Sequence, residues 1–178
     1  MTTVSHAAID VSSRQVMPPG SRLVLTARLQ VTTDRPEGTV NLTGQLHQLV
    51  AEARVIEGTV HVYCGHTTCG LLVNELDTGL ETDTSKALER LLPHSSRHPY
   101  SHDKDRTAEE RALHGHGERD NGHAHLRAVM ATHPELHVPV TDGALYLGRW
   151  QAVMLAEHDG PRTRELLVRI NNDLTHTA

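Results

Sequence analysis

The stretch LHVPVTDGALYLGRWQAVMLAEHDGPRTRELLVRI, residues 136–170, decides the fold class. Three apolar, β-rich segments, Leu136–Val140, Ala144–Glu157 and Arg164–Ile170, are parted by Thr141-Asp-Gly143 and Asp159-Gly-Pro-Arg162. Gly, Asp and Pro supply the backbone angles of tight turns, so the pattern predicts a three-stranded meander. Upstream, Leu23, Leu25, Ala27, Leu29 and Val31 alternate with Val24, Thr26, Arg28 and Gln30, the period-two signature of a half-buried strand over 22–32. Leu42, Leu46, Leu49, Val50 and Ala53 recur at helical spacing after the candidate caps Asn41 and Thr43, predicting a helix over 43–54 stopped by Gly58.

Alternation resumes from Gly58 to about Gly65, with Val60, Val62 and Cys64 on one face, and the run 71–75 is also strand-like. Residues 83–92 form a capped helix ended by Pro93, with Ala87, Leu88 and Leu91 inward. The polar, His-rich stretch 93–120 carries one weak helical segment over 107–113; a stretch so long in a small domain is functional or disordered. The sum is a single α+β domain over 20–172, with tails at 1–19 and 173–178.

Composition narrows the function classes. The 178 residues are 37% hydrophobic with one Trp, three Tyr and no Phe, so aliphatic side chains must fill the core and burial in an oligomer would help. Seventeen basic against 22 acidic residues give −5, which removes the basic footprint of a nucleic-acid binder. Without an apolar run near the ~18 residues of a membrane span, or a leader pattern at the start, the expected location is cytoplasmic, with no membrane partner. Two cysteines, Cys64 and Cys69, are expected as free thiols.

Fifteen residues are His, and His94, His98, His102, His114, His116, His123, His125, His133 and His137 fall between 94 and 137. Four polar clusters could carry chemistry. In the first, His66-Thr67-Thr-Cys-Gly70 precedes Asn74, Glu75 and Asp77. If 71–75 is a strand, Glu75 shares a face with Leu71 and Val73 and must be paired, metal-bound or protonated, unless the strand has already ended in solvent. The second and third are Ser101-His102-Asp103 and Asn121-Gly-His123-Ala-His125. Histidines two apart meet on one face of an extended segment but diverge by ~200° on a helix, where one of them would bind. With His102 they could build an open three-histidine metal site, while His114 and His116, flanked by glycines, read as flexible loop. The fourth, Glu157 to Arg162 with Arg164, sets guanidinium forks beside a turn, suited to phosphate or to an internal Asp–Arg pair. Trp150 is expected in the core.

In order and spacing, HTTCGLLVNELD, SHD, NGHAHLRA, VPVTDGALYLGRWQAVMLAEHDGPR and the strand that follows resemble the YjbQ family of small bacterial and archaeal proteins, over roughly residues 20–172. The resemblance implies a bifurcated mixed β-sheet with flanking helices and a homotrimer. It also implies a role as secondary thiamine-phosphate synthase, joining a pyrimidine pyrophosphate to a thiazole phosphate with loss of pyrophosphate. The family's motif residues fall here on His66, Thr67, Asn74, Glu75, Asp77, His102, Asp103, Asn121, His123, His125, Gln151, Glu157, Asp159 and Arg162. The chain departs from the pattern at Leu76, where relatives have a longer polar run, and in the His- and charge-rich stretch 104–120.

These readings lead to a metal-dependent enzyme acting on a small phosphorylated molecule. His102, His123 and His125 would hold a divalent metal, zinc rather than magnesium. Glu75, Asp103 and His66 would be catalytic, and Thr67, Asn74, Asn121, Arg127 and Arg162 would bind substrate. The alternative is a non-catalytic metal- or metabolite-binding homotrimer with a His-rich loop.

Overall fold

A computed structural model describes residues 7–95, 97, 100–105, 107–114 and 120–173. In chain order its elements are β1 (Ala8–Val16), β2 (Leu23–Thr32), β3 (Gly38–Asn41), α1 (Thr43–Ala53), β4 (Gly58–Cys64), β5 (Cys69–Glu75), α2 (Thr78–Leu91), α3 (Ser101–Lys104), α4 (Ala108–His114), α5 (Gly122–Ala131), β6 (Glu135–Thr141), β7 (Ala144–Leu145), β8 (Gln151–Glu157) and β9 (Thr163–Asn172). His98 and His116 lie outside the described residues, as do the side chain of His114 and most of the C-terminal tail.

The α+β class holds, and the strands form two sheets. One is six-stranded in the order β1-β2-β9-β4-β6-β7, the other three-stranded in the order β3-β8-β5. Every pairing between these strands is antiparallel. Sequence alternation becomes rows of buried side chains across three strands: Leu25, Ile170 and Val60; Ala27, Val168 and Val62; Leu29, Leu166 and Cys64. Helix α1 caps these rows with Leu46, Leu49, Val50 and Ala53. Each fully buried aliphatic chain contributes about 1.5–3 kcal/mol, which offsets the scarcity of aromatics.

Several expectations need correction. The C-terminal segments do not form a meander: β6 and β7 make a short hairpin, but β8 joins the second sheet, and β9 inserts between β2 and β4. The strand expected over 144–157 breaks at a turn in which the Gln151 amide donates to the Gly148 carbonyl and the Gln151 side chain accepts from the Gly148 amide. That turn holds Trp150 outside the core, 64% exposed beneath the Arg149 guanidinium. Residues 8–16, within the expected N-terminal tail, pair along β2 because Ile9 and Val11 pack against the core edge. Helix α2 starts earlier than expected, with Asp77 capping the Leu80 amide, and its Leu91 faces solvent.

Candidate functional site

The β8–β9 turn gathers the buried polar groups. Glu157, 2% exposed, binds the Arg164 guanidinium through both carboxylate oxygens and also accepts from the His158 and Asp159 amides and the Thr33 hydroxyl. Arg164 donates further to Thr68 Oγ1 at 3.0 Å. A buried carboxylate is tolerated because its acceptor capacity is filled this completely. The turn is pressed against the chain before β3, where a Cβ on Gly160 would lie 2.1 Å from the Arg35 carbonyl oxygen.

From this turn a hydrogen-bonded chain runs outward. Asp159 Oδ2 accepts from Arg162 Nη2 at 2.6 Å and from Asn121 Nδ2 at 3.1 Å, and Asn121 Oδ1 lies 3.2 Å from His102 Nε2. Because the Asp159 carboxylate can only accept, it fixes the Asn121 amide with Oδ1 toward His102. His102 must then donate from Nε2, and in the neutral ring the lone pair resides on Nδ1. Asp103 Oδ1 accepts the Asn121 and Gly122 amides at 3.0 and 2.9 Å, closing the exposed donors at the start of α5. Gly122 is needed there, since a Cβ would meet the Tyr100 ring stem at 2.6 Å.

Since residues 122–131 are helical, His123 and His125 diverge. The His125 ring packs on His102 at 4.4 Å between centroids, whereas His123, buried, packs on His94 at 4.3 Å. Burial lowers the His123 pKa, helped by the positive charges of His94 and Arg127. The expected three-imidazole set is therefore corrected: His102, His123 and His125 do not bring three ligand atoms within 4.8 Å of one another.

Arg127 is a second correction. It is fully buried, donating to the Leu92 carbonyl and paired with Glu37 and Glu89, so it locks α5 to α2 and offers nothing to a phosphate. His66 Nε2 accepts the Glu165 amide at 3.0 Å, and burial, with Arg164 nearby, lowers its pKa; Thr67 beside it is exposed. Asn74 and Glu75 are exposed at the far end of β5. Glu75 pairs in register with Gln151 while Cys69 pairs with Glu157, which puts the two ends of β5 about 20 Å apart. Glu75 has thus passed the end of the core, and it is not joined to the histidines. Asp103 is a cap before it is a base.

A cavity of about 640 Å³ lies between α2 and the small sheet, with Asn74 and Glu75 at one end and Glu157 and His158 at the other. His158 is 6% exposed, and its Nε2 has no hydrogen-bond partner among the described residues. Burial, reinforced by the Arg127 charge, pushes its pKa down to about 4. The sequence reading passed over His158, although its place in the Glu157-to-Arg162 cluster was a usable signal. Cys64 and Cys69 are buried free thiols with sulfurs 3.5 Å apart; the hydrogen bond from Cys69 draws the Cys64 pKa down to about 7 against the effect of burial.

Residues 27–173 match the sequence profile of the UPF0047 protein YjbQ-like family. The chain belongs to this family. It is 34% identical over 141 residues to a UPF0047 protein of Archaeoglobus fulgidus, covering 79% of this chain and 97% of that one. With the UPF0047 protein YugU of Bacillus subtilis it shares 28% over 143 residues, 80% of this chain and 96% of the relative. Among solved structures, a protein of unknown function from Sulfolobus solfataricus, described as YbjQ-like, superposes with TM-score 0.69 at 25% identity, covering 94% of this chain and all of that one. A conserved hypothetical protein from Thermus thermophilus superposes with TM-score 0.59 at 38% identity, covering 80% and 98%. Of the family's motif residues, His102, Asn121, Asp159 and Arg162 form one connected chain in this member. No helix among the described residues is long and apolar enough to cross a membrane.

Proposed function

We propose that this protein is a cytoplasmic enzyme acting on a small phosphorylated molecule, centred on the chain His102–Asn121–Asp159–Arg162. The observation that carries the reading is Asp159 holding Arg162 and Asn121 at once, which couples an anion-binding guanidinium to an imidazole of set tautomer. Arg162 donates to Asp159 through Nε and Nη2 and keeps 38% of its side chain exposed, so Nη1 is the group that receives phosphate. His102 Nδ1 is the base, or in the protonated ring the acid, for proton transfer at the phosphorylated carbon or oxygen. When a divalent ion is bound, zinc before magnesium because the donors are imidazoles, His102 Nδ1 and His125 would hold it, and the ion would supply Lewis-acid polarisation in place of proton transfer by His102.

The narrower reaction, thiamine-phosphate synthesis, rests on the family resemblance. The homotrimer belongs to the same proposal, and the exposed apolar Leu126, Val129 and Met130 on α5 give it a surface.

A panel of small phosphate and pyrophosphate esters, including the pyrimidine pyrophosphate with the thiazole phosphate, tests the reading. Substrate turnover should fall by ~10²–10⁴ in kcat for His102→Ala, while Arg162→Ala should chiefly raise KM. Phosphate binding without turnover would leave the non-catalytic metabolite-binding reading, and turnover indifferent to both substitutions would remove this centre from the chemistry.

A further inference from the structure

The outer face of the large sheet carries a separate set of donors. In the β4–β6 pairing His61 stands directly opposite His137, and Glu135 lies two residues along β6. Val60 and Val62 point into the core, so alternation turns His61 outward beside both partners. The two rings stack at 4.4 Å with planes 8° apart, and Glu135 Oε2 lies 2.9 Å from His61 Nε2. One ligand atom from each residue falls within 4.8 Å of the other two, the single such group among the described residues.

Tetrahedral zinc, with bonds of about 2.0–2.2 Å, needs donors roughly 3.3 Å apart, so small rotations of solvent-facing side chains suffice. We propose that His61, Glu135 and His137 form a divalent transition-metal site of the zinc type, with water completing the shell. Two neutral imidazoles and one carboxylate match zinc and are poor ligands for magnesium. The ion would clip β6 onto β4 along the part of β6 whose outer edge β7 leaves uncovered, since β7 pairs with it at Val140 and Thr141 alone. Arg169 stands opposite His61 on β9, and its charge moderates the affinity.

The experiment titrates the full chain with zinc against a weak competing chelator, and follows Tm with and without the metal. His137→Ala should lower the affinity at this site by at least roughly tenfold and abolish the zinc-dependent rise in Tm. Glu135→Gln should weaken binding, and Arg169→Ala should tighten it. A His102→Ala, His125→Ala double variant should keep this ion, which separates the site from the proposed catalytic centre. Because His137 is outward-facing, metal-free Tm of His137→Ala should match wild type. Unchanged zinc affinity and Tm response in His137→Ala would overturn the proposal, as would loss of the ion in the His102, His125 variant alone.

Discussion

On one face of the three-stranded sheet, Val40, Leu71, Val153 and Leu155 meet α1 and the large sheet in a closed core; on the other, Leu72, Met154 and Ala156 border the cavity beneath α2. Both helices are amphipathic, yet α1 buries Leu46, Leu49, Val50 and Ala53 while α2 has no buried residue. An apolar stripe thus specifies that a helix lies against something apolar, but not how closely. Packed to native density, such a stripe becomes core; held off by the ion pairs of Arg127 to Glu89 and Arg35 to Glu81, it becomes the roof of a cavity. Closed packing serves stability, and the open side retains the room a ligand requires.

The largest break in this contrast is expected at Glu157, where the two faces meet. Glu157→Gln leaves Arg164 buried without its anion and should cost about 3–5 kcal/mol, read by urea unfolding. On the closed side, Leu46→Ala should cost about 2–5 kcal/mol, whereas Leu88→Ala on the half-buried stripe of α2 should cost less than about 1 kcal/mol. Equal losses from the two leucines would mean that α2 is as tightly packed as α1.

The smaller test uses pH. His158 has its folded-state pKa depressed to about 4, below the ordinary 6.5, so between these values the unfolded chain binds more protons. Stability should therefore be full above pH 6.5 and fall as pH drops toward 4, by up to about 3 kcal/mol from this residue. The lowered pKa values of His66 and His123 act in the same direction. His158→Leu should flatten the dependence over this window, and an unchanged slope would show that His158 does not remain neutral when folded.

Much of the fold is legible in local pattern. Strand β2 follows from Leu25, Ala27, Leu29 and Val31, and α1 from Leu46, Leu49 and Val50, because burial on one face writes a period of two or of 3.6 into the chain. The turn chemistry after Val140 also marks a real hairpin, with Asp142 and Gly143 at positive φ. Partner choice was not legible: residues 151–157 are equally apolar whether they pair with β9 or with β5. Of the candidate site residues, His102, Asn121 and Arg162 are linked through Asp159. Glu75 and Arg127 do not join them, because one sits exposed at the far end of β5 and the other is consumed by three internal acceptors.

The sequence by itself determined the α+β class, the positions of its most regular strands, the family, and the residue types available for acid–base, metal and anion chemistry. Tertiary structure decided which of them meet. Helical geometry at 122–131 separates His123 from His125, a carboxylate seven residues from Arg164 fills its guanidinium, and antiparallel register brings His61 to His137 across 76 positions of chain. Local periodicity records which face of an element is buried. Contacts between distant segments depend on register, packing distance and the competition for hydrogen-bond partners, and these exist only once the chain has closed on itself.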